Sequence, residues 1–268
     1  MDRIVLITGS TDGIGKQTAI DLAQKGYHVL VHGKNREKGI AVVSEIKKLT
    51  NNNSVDLLIA DLSRQKEIKG LRDEVFKRYD HLDVLINNAG IYQTEYELSE
   101  NNIEMTFAVN HLAPFLLTRL LLDLLKTNHS TRIINVSSMI HANYIDFKDL
   151  QYENNFDGGG AYSLSKLCNI LFTYKLSEIL KAGNVTVNCL HPGVINTRML
   201  RLSFGNIGAP VQEGSKTSVY LADSVQVANV TGKYFADKKM AESKSITYDK
   251  DVQNRLWEIS EKLTAGIG

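Results

Sequence analysis

Tyr162 and Lys166 stand four residues apart in the run Ala161 to Lys175. On a helix that spacing puts both side chains on one face, about one turn apart. A free tyrosine has a pKa near ~10 and keeps its proton at neutral pH. An ammonium beside it favours the phenolate and lowers that value. Such a pair can exchange protons with a substrate at working pH. A solvated lysine and a half-buried tyrosine on an ordinary helix give the same spacing, so the pair needs support from the rest of the chain.

Support begins at Thr8-Gly9-Ser10-Thr11-Asp12-Gly13-Ile14-Gly15, between an apolar run from Ile4 to Ile7 and a stretch of helical character. Glycines here permit a tight turn and close backbone approach to a pyrophosphate, and the free N–H groups of the helix start face the phosphates. The spacing is GxxxGxG, and an ordinary glycine-rich connection is the competing reading. The second apolar run, Tyr27 to His32, ends in His32-Gly33-Lys34-Asn35-Arg36 without an acid. An acid there would accept from the ribose of NAD, whereas a base meets the 2′-phosphate of NADP. Lys34 is the first choice for that contact and Arg36 the second; solvated bases opening the next helix are the alternative. On this reading Gly33→Asp should reverse the preference.

The elements that would position these groups alternate. A strand over Arg3 to Thr8 leads to a helix ending near Lys25, and the strand Tyr27 to His32 leads to a helix from Arg36 to Leu49. A strand from Val55 to Ala60 ends at Asp61 and Leu62; a helix capped by Ser63 runs to Tyr79. A fourth strand, Leu82 to Ile86, ends in Asn87-Asn88-Ala89-Gly90. Alternation with short connections predicts an α/β Rossmann-type, doubly wound parallel sheet of about seven strands with helices on both faces. Ligands of such sheets sit beyond the carboxyl ends of the strands, where Gly9, Lys34, Asp61 and Asn87 to Gly90 all fall.

A helix from Ser99, as its N-cap, to Thr127 is apolar nearly all round, as buried helices are. Pro114 inside it has no N–H for the Asn110 carbonyl, which predicts a kink there. A strand from Arg132 to Val136 ends in Ser137-Ser138. Residues 141–160 read as a polar, glycine-rich surface loop before the Tyr162 helix. The strand Val185 to Leu190 precedes His191-Pro192-Gly193-Val194-Ile195-Asn196-Thr197. From Arg198 to Pro210 no period is clear, and Met199, Leu200, Leu202 and Phe204 mix with bases, the pattern of a substrate lid over about 194–215. A helix from Glu213 to Ala222, a strand near Lys233 to Phe235 and an amphipathic tail helix with Trp257 complete a single domain over residues 1–268.

Composition narrows the function. The 268 residues include 31 basic and 30 acidic ones, a net charge of +1, which suggests neither nucleic acid nor an anionic membrane as partner. Hydrophobic residues make up 43%, enough for a sizeable core. Cys168 and Cys189 lack CxxC spacing and read as buried thiols of a reducing, cytoplasmic setting. The histidines are scattered, and no metal site is expected. The first apolar run begins at Ile4, and no run reaches ~18 residues, so neither an anchor nor a membrane span is expected.

Thr8 to Gly15, Asn87 to Gly90, Asn110, Ser138, Tyr162 with Lys166, and Pro192-Gly193 together resemble the short-chain dehydrogenases/reductases, in that family's order and over essentially the whole chain. Ser-Ser-Met-Ile-His at 137–141, Thr231 to Phe235 and Leu256 to Ser260 look like its retinol dehydrogenase and WW-domain oxidoreductase branch. The resemblance implies NADP(H), ahead of NAD(H), and a small carbonyl or alcohol substrate of lipophilic character. Tyr162 would be the proton donor and acceptor, with Lys166 lowering its pKa and holding the nicotinamide ribose. Ser138 would hold the substrate oxygen, and the Asn110 carbonyl a water linked to Lys166. Gly9, Ser10, Thr11, Gly13, Ile14, Gly15, Asp61, Leu62, Asn87, Ala89 and Gly90 would line the cofactor. Pro192, Gly193 and Val194 would pass the nicotinamide, and Thr197 would reach the diphosphate. A silent dinucleotide-binding regulator would lack Ser138, Tyr162 or Lys166, and all three are present. An NAD-preferring dehydrogenase stays open as the alternative cofactor reading. A sugar-nucleotide epimerase or dehydratase would want a larger C-terminal domain. Related enzymes often form dimers through the two helices around Asn110 and Tyr162. The apolar set Leu164, Leu167, Leu171 and Phe172 therefore raises a homodimer as the expectation; helices of the same chain covering these faces are the alternative.

Overall fold

Leu6, Leu30, Leu58, Leu85, Ile133 and Val187 pack on one face of a central sheet. Their neighbours Val5, Ile7, Val29, Val31, Val84, Ile86 and Ile134 pack on the other. Strands buried on both faces must be apolar at every position, which is why they read as continuous runs rather than alternating ones. The computed structural model describes residues 3–127 and 130–265, without the side chains of 202–204. Leu202 and Phe204 of the expected lid therefore lie outside the described residues.

The strands are β1 (Ile4–Ile7), β2 (His28–Gly33), β3 (Val55–Ile59), β4 (Val84–Asn87), β5 (Thr131–Val136), β6 (Val185–His191), β7 (Tyr234–Ala236) and β8 (Lys239–Ala241). Their order is β3-β2-β1-β4-β5-β6-β7-β8. All neighbours are parallel except β7 and β8, an antiparallel hairpin at the edge. The sheet thus has eight strands rather than seven; β8 is three exposed residues and carries no apolar signal. Helices α1 (Gly13–Gln24), α2 (Arg36–Thr50) and α8 (Val211–Asp223) cover one face. Helices α3 (Gln65–Arg78), α5 (Ala113–Leu125) and α6 (Gly158–Ile179) cover the other. The helix α9 (Lys250–Thr264) lies over α5 and α6.

Three local expectations need correction. Ser63 does not cap α3; its N–H and hydroxyl bond Asp61 Oδ1 at 3.0 and 2.8 Å, and the helix starts at Gln65. Ser99 does not open the apolar helix. Its hydroxyl accepts from Ile103 N–H in a preceding turn, and α4 (Met105–Phe107) is capped by Glu104, whose carboxylate accepts from Thr106 and Phe107 N–H at 2.8 and 2.6 Å. The segment 141–160 is not all surface: Ile145 and Leu150 are buried, and Gly158 to Gly160 form the first turn of α6. These glycines suit the site, since a Cβ on Gly158 would lie 2.1 Å from the Gln93 carbonyl oxygen.

Between α4 and α5 the chain makes a π-turn, Ala108–Leu112, in which Ala113 N–H donates to the Ala108 carbonyl, five residues back. Pro114 follows directly, so the expected kink takes the form of a π-turn with Asn110 at its centre. Met105–Leu125 is long and apolar enough to cross a membrane, yet 78% of its apolar window is buried inside the fold, as in a core helix.

Candidate active site

The sheet order reverses direction between β1 and β4, and a crevice opens beyond their carboxyl ends. Thr8 stitches it: its hydroxyl accepts from Asn88 and Ala89 N–H, each at 3.0 Å. The Asn88 amide returns bonds to the carbonyls of Thr8 and Gly9 at 2.9 and 3.2 Å. Neither Thr8 nor Asn88 was singled out from sequence as a functional side chain; the doubled asparagine was the only signal. Two glycines of the loop have no space for side chains. A Cβ on Gly9 would lie 2.8 Å from Ala89 Cα, and one on Gly15 would lie 2.4 Å from Asn88 Nδ2. Gly9 and Gly13 also hold φ of +63° and +53°, which L side chains rarely adopt. The first N–H of α1, that of Gly13, is capped by Asp12 Oδ1 at 2.8 Å; the N–H groups after it, with the helix dipole, suit an anion.

Several predicted loop residues serve the loop rather than the opening. Ser10 is fully buried; its hydroxyl donates to the Ile7 carbonyl at 2.7 Å and accepts from His32 N–H at 2.9 Å. His32 Nδ1 accepts from Gly9 N–H at 3.1 Å, and burial pulls its pKa down to about 4, so it stays neutral. Leu62 turns its side chain into the core. The Asn87 amide bonds Thr118 and Asn135 in the interior. Thr11 and Ile14 stand partly exposed at the loop. Thr197 caps α7 (Arg198–Phe204), accepting from Leu200 N–H, and its Cγ2 lies 3.5 Å from where a Gly13 Cβ would be. Pro192 is partly exposed and Gly193 and Val194 are exposed, at the carboxyl end of β6. Residues Thr197, Arg198 and Arg201 face Gly13, Lys16 and Glu45 across a cavity of about 440 Å³.

Around the β2 end, Lys34 is 75% exposed with Nζ 3.7 Å from Asp61 Oδ2. Burial raises the Asp61 carboxyl, but Ser63 and then Lys34 hold it below its ordinary value. Arg36 is exposed at the start of α2. Lys38, absent from the sequence reading, reaches the glycine loop and pairs with Asp12 at 2.7 Å. A Cβ on Gly33 would lie 2.6 Å from Thr11 Cγ2, so the expected Gly33→Asp exchange requires the partly exposed Thr11 side chain to turn away.

Tyr162, Lys166, Ser138 and Asn110 come together at the middle of the crevice. Asn110 is fully buried and pins the loop after β4: Oδ1 accepts from Ile91 N–H at 2.8 Å, and Nδ2 donates to the Ile91 carbonyl and to Ser165 Oγ at 3.0 Å. Ser165 in turn donates to the Tyr162 carbonyl at 2.7 Å. Lys166 is 3% exposed; its Nζ donates to the Val136 carbonyl at 3.1 Å and lies 5.4 Å from the centre of the Tyr162 ring. Ser137 Oγ donates to the Lys166 carbonyl. A Cβ on Gly90 would lie 3.4 Å from both Asn110 Oδ1 and Lys166 Nζ, which places Gly90 in contact distance of both groups. The Tyr92 ring lies 5.7 Å from that of Tyr162.

The electrostatics differ from expectation. Burial pushes the Tyr162 phenol up to about 12, with a hydrogen bond to the Ser138 hydroxyl acting downward. Burial pulls the Lys166 ammonium down to about 8. The fold by itself thus raises the phenol's pKa instead of lowering it, because loss of water costs the phenolate more than its neighbours return. Lys166 remains mostly protonated at pH 7, and no carboxylate partners it among the described residues.

The surface on which a dimer was expected is already occupied. Leu164, Leu167, Leu171 and Phe172 are all buried within the chain. Trp257 of α9 packs edge-on against Phe115 at 5.0 Å and stacks on Phe172 at 6.0 Å.

Known proteins resemble this chain in sequence and in fold. The family model for short chain dehydrogenase matches residues 3–206. Human retinol dehydrogenase 14 is 38% identical over 97% of this chain and 85% of its own length. Human polyprenol dehydrogenase is 37% identical over 98% of this chain and 85% of its own. A solved chain from Escherichia coli CFT073, assigned as a short chain dehydrogenase and complexed with NADPH, is 26% identical with a TM-score of 0.74, over 89% of this chain and 97% of that one.

Proposed function

The chain belongs to the short-chain dehydrogenase family and is an oxidoreductase of that class; we propose that it interconverts a lipophilic alcohol and its carbonyl with NADP(H). The observation that carries this reading is Lys166, an ammonium in the interior that bonds a backbone carbonyl, lies over the Tyr162 ring and has no carboxylate partner among the described residues. A structural lysine would avoid that state, since an unpaired buried charge costs several kcal/mol. Beside a phenol and a serine hydroxyl, at the carboxyl ends of the strands, it has a chemical use.

The crevice fits a dinucleotide. Gly9 and Gly15 let the glycine loop pack directly on Ala89 and Asn88 at the carboxyl ends of the strands, and Gly90 lies in contact with Lys166 beside them. Gly9, Thr11, Gly13 and Ile14 would hold the diphosphate, with Asp61 at the adenine and Lys34 at the 2′-phosphate. When bound, the nicotinamide supplies or takes the hydride at the substrate carbon. In reduction, Ser138 donates a hydrogen bond to the carbonyl oxygen, and Tyr162 passes its proton to that oxygen as charge develops there. The Lys166 ammonium then stabilises the phenolate left behind. In oxidation the phenolate accepts the proton back, so each direction leaves the enzyme ready for the other. Asn110 holds the loop that carries Ile91 against α6 and keeps Tyr162 in register.

The lipophilic character of the substrate has two supports. Met139, Ile140 and Val194, next to Ser138 and Pro192-Gly193, are exposed apolar residues. The relatives are named for retinol and polyprenol, both apolar alcohols. A panel of aldehydes, ketones and alcohols, followed at the nicotinamide absorbance with NADPH or NADP, tests the reading. Turnover is expected to vanish in Tyr162→Phe while cofactor binding survives. Near-normal turnover in that variant would remove the mechanism.

A further inference from the structure

His141 closes the Ser-Ser-Met-Ile-His run and touches the reaction only through Ser138. It is 4% exposed. Its Nδ1 meets the Ser138 carbonyl at 2.7 Å, and its Nε2 meets the Lys244 N–H at 3.1 Å. A carbonyl oxygen can only accept and an amide N–H can only donate. One tautomer satisfies both: neutral imidazole with the proton on Nδ1 and the lone pair on Nε2. We infer that His141, in that neutral tautomer, is a positioning residue that fixes the Ser138 hydroxyl against Tyr162 and ties this turn to the chain at Lys244.

The turn is fixed at several points. Ser138 Oγ accepts from Ile140 N–H at 3.3 Å, which sets the rotamer of the hydroxyl that faces Tyr162. Ala142 N–H donates to the Ser163 carbonyl at 2.9 Å, one residue beyond Tyr162. His141 is the link between these bonds and the segment after β8, because the Lys244 ammonium also donates to the His141 carbonyl. Protonating the ring would set a new N–H against the Lys244 N–H and break the second bond.

Of the groups facing the ring, the Lys244 ammonium stands on one side and His191 at the end of β6 is a second base within electrostatic reach, and both oppose a charge there. The Ser138 carbonyl favours the cation, and the Tyr234 ring of β7, 5.7 Å away, does so weakly. Burial, the largest influence, lowers the pKa, the carbonyl opposes it, and Lys244 adds to the lowering. The charged form, and the loss of Ser138 placement, should therefore arise only below the ordinary histidine range near ~6.5.

This inference rests on the proposed reaction, so its test has one arm without substrate. Nitrogen-15 spectra of the full chain, with the His141 signals identified by their absence in His141→Asn, should show the Nδ1–H tautomer at pH 7.5 and no titration near pH 6.5. The Nε2–H tautomer, or ordinary titration, would overturn the inference whatever the enzyme turns over. In the kinetic arm, His141→Phe removes both bonds at similar volume. Its kcat should fall about ten- to a hundredfold, the scale of a small misplacement at a reacting centre, with KM for NADPH within about twofold of wild type. His141→Asn places an amide N–H where Nδ1–H was, and should recover most of kcat. It should also lose the acid limb of the wild-type profile, since asparagine does not titrate. Equal losses in both variants, or an unchanged acid limb in His141→Asn, would reduce His141 to ordinary packing. The asparagine profile decides even if His141→Phe does not fold. A wild type that turns over no carbonyl or alcohol would refute the reaction and not the tautomer.

Discussion

Lys166 pays for its role in stability. Its folded pKa, about 8, lies below the ordinary 10.5. The unfolded chain therefore binds this proton more tightly, and the mismatch costs on the order of 3 kcal/mol at neutral pH. The sign follows: the cost is fully present below pH 8, and stability from this group rises between about pH 8 and 10.5 as the proton leaves the unfolded chain too. Lys166→Met should abolish turnover and yet make the cofactor-free protein roughly 1–3 kcal/mol more stable in urea, the trade expected at an active site. A variant that is inactive and also less stable would show that the ammonium is a net structural contributor. At the other end of the crevice, Lys34 is the base proposed for the 2′-phosphate of NADP, and Lys38 stands nearer the glycine loop. Lys34 is mostly exposed and shares Asp61, and Lys38 is held by Asp12. A charge-assisted contact is worth roughly 1.5–3 kcal/mol. Lys34→Ala should raise KM for NADPH about tenfold or more and leave that for NADH nearly unchanged. Lys38→Ala should weaken both cofactors alike, because it frees Asp12 beside the diphosphate. Equal effects of Lys34→Ala on both cofactors would leave Lys34 a solvated surface base.

The element with the most unusual local geometry is the π-turn at Ala108–Leu112. A π-turn inserts one residue into a helix and is rarely stable without a local cause. Pro114 supplies it: with no N–H, it cannot donate to the Asn110 carbonyl. The turn sets Asn110 against Ile91 and Ser165, while the next residue, His111, bonds Ser260 of α9 at 2.9 Å. Pro114→Ala restores the missing donor and lets the helix close in α form, which should rotate Asn110 out of register. Its kcat should fall about tenfold while the melting temperature holds or rises. An unchanged kcat would mean that packing alone sets the π-turn. The same stretch shows a limit of reading by residue type. Ser99 and Ser63 are good helix caps by preference, but Glu104 and no side chain at all stand at those helix starts. The serines instead close turns one step earlier, which only tertiary placement decides.

At the scale of the whole molecule, the sheet and its switch point were legible because seven strands are buried and apolar, and because glycine and asparagine mark their ends. The edge strand β8 was not, since Lys239, Met240 and Ala241 are all exposed. The meeting of Tyr162, Lys166, Ser138 and Asn110 was legible from motif order, whereas the upward shift of the phenol was not, because the motif does not say how much water the packed neighbours leave around a single polar group. Apolar periodicity likewise shows that a face is covered and not by what. On α5 and α6 the cover is α9, with Trp257 against Phe115 and Phe172 and Arg119 paired to Glu261 at 3.1 Å. With that face filled, light scattering across micromolar concentrations should give the mass of one chain. Trp257→Ala should lose roughly 2–3 kcal/mol of stability, toward the lower end for removing a large core aromatic because Trp257 is only partly buried. It should also expose Phe115 and Phe172 and make the scattering mass rise with concentration. A wild-type dimer that persists unchanged in Trp257→Ala would place the subunit contact elsewhere on the molecule and leave α9 a packing element only.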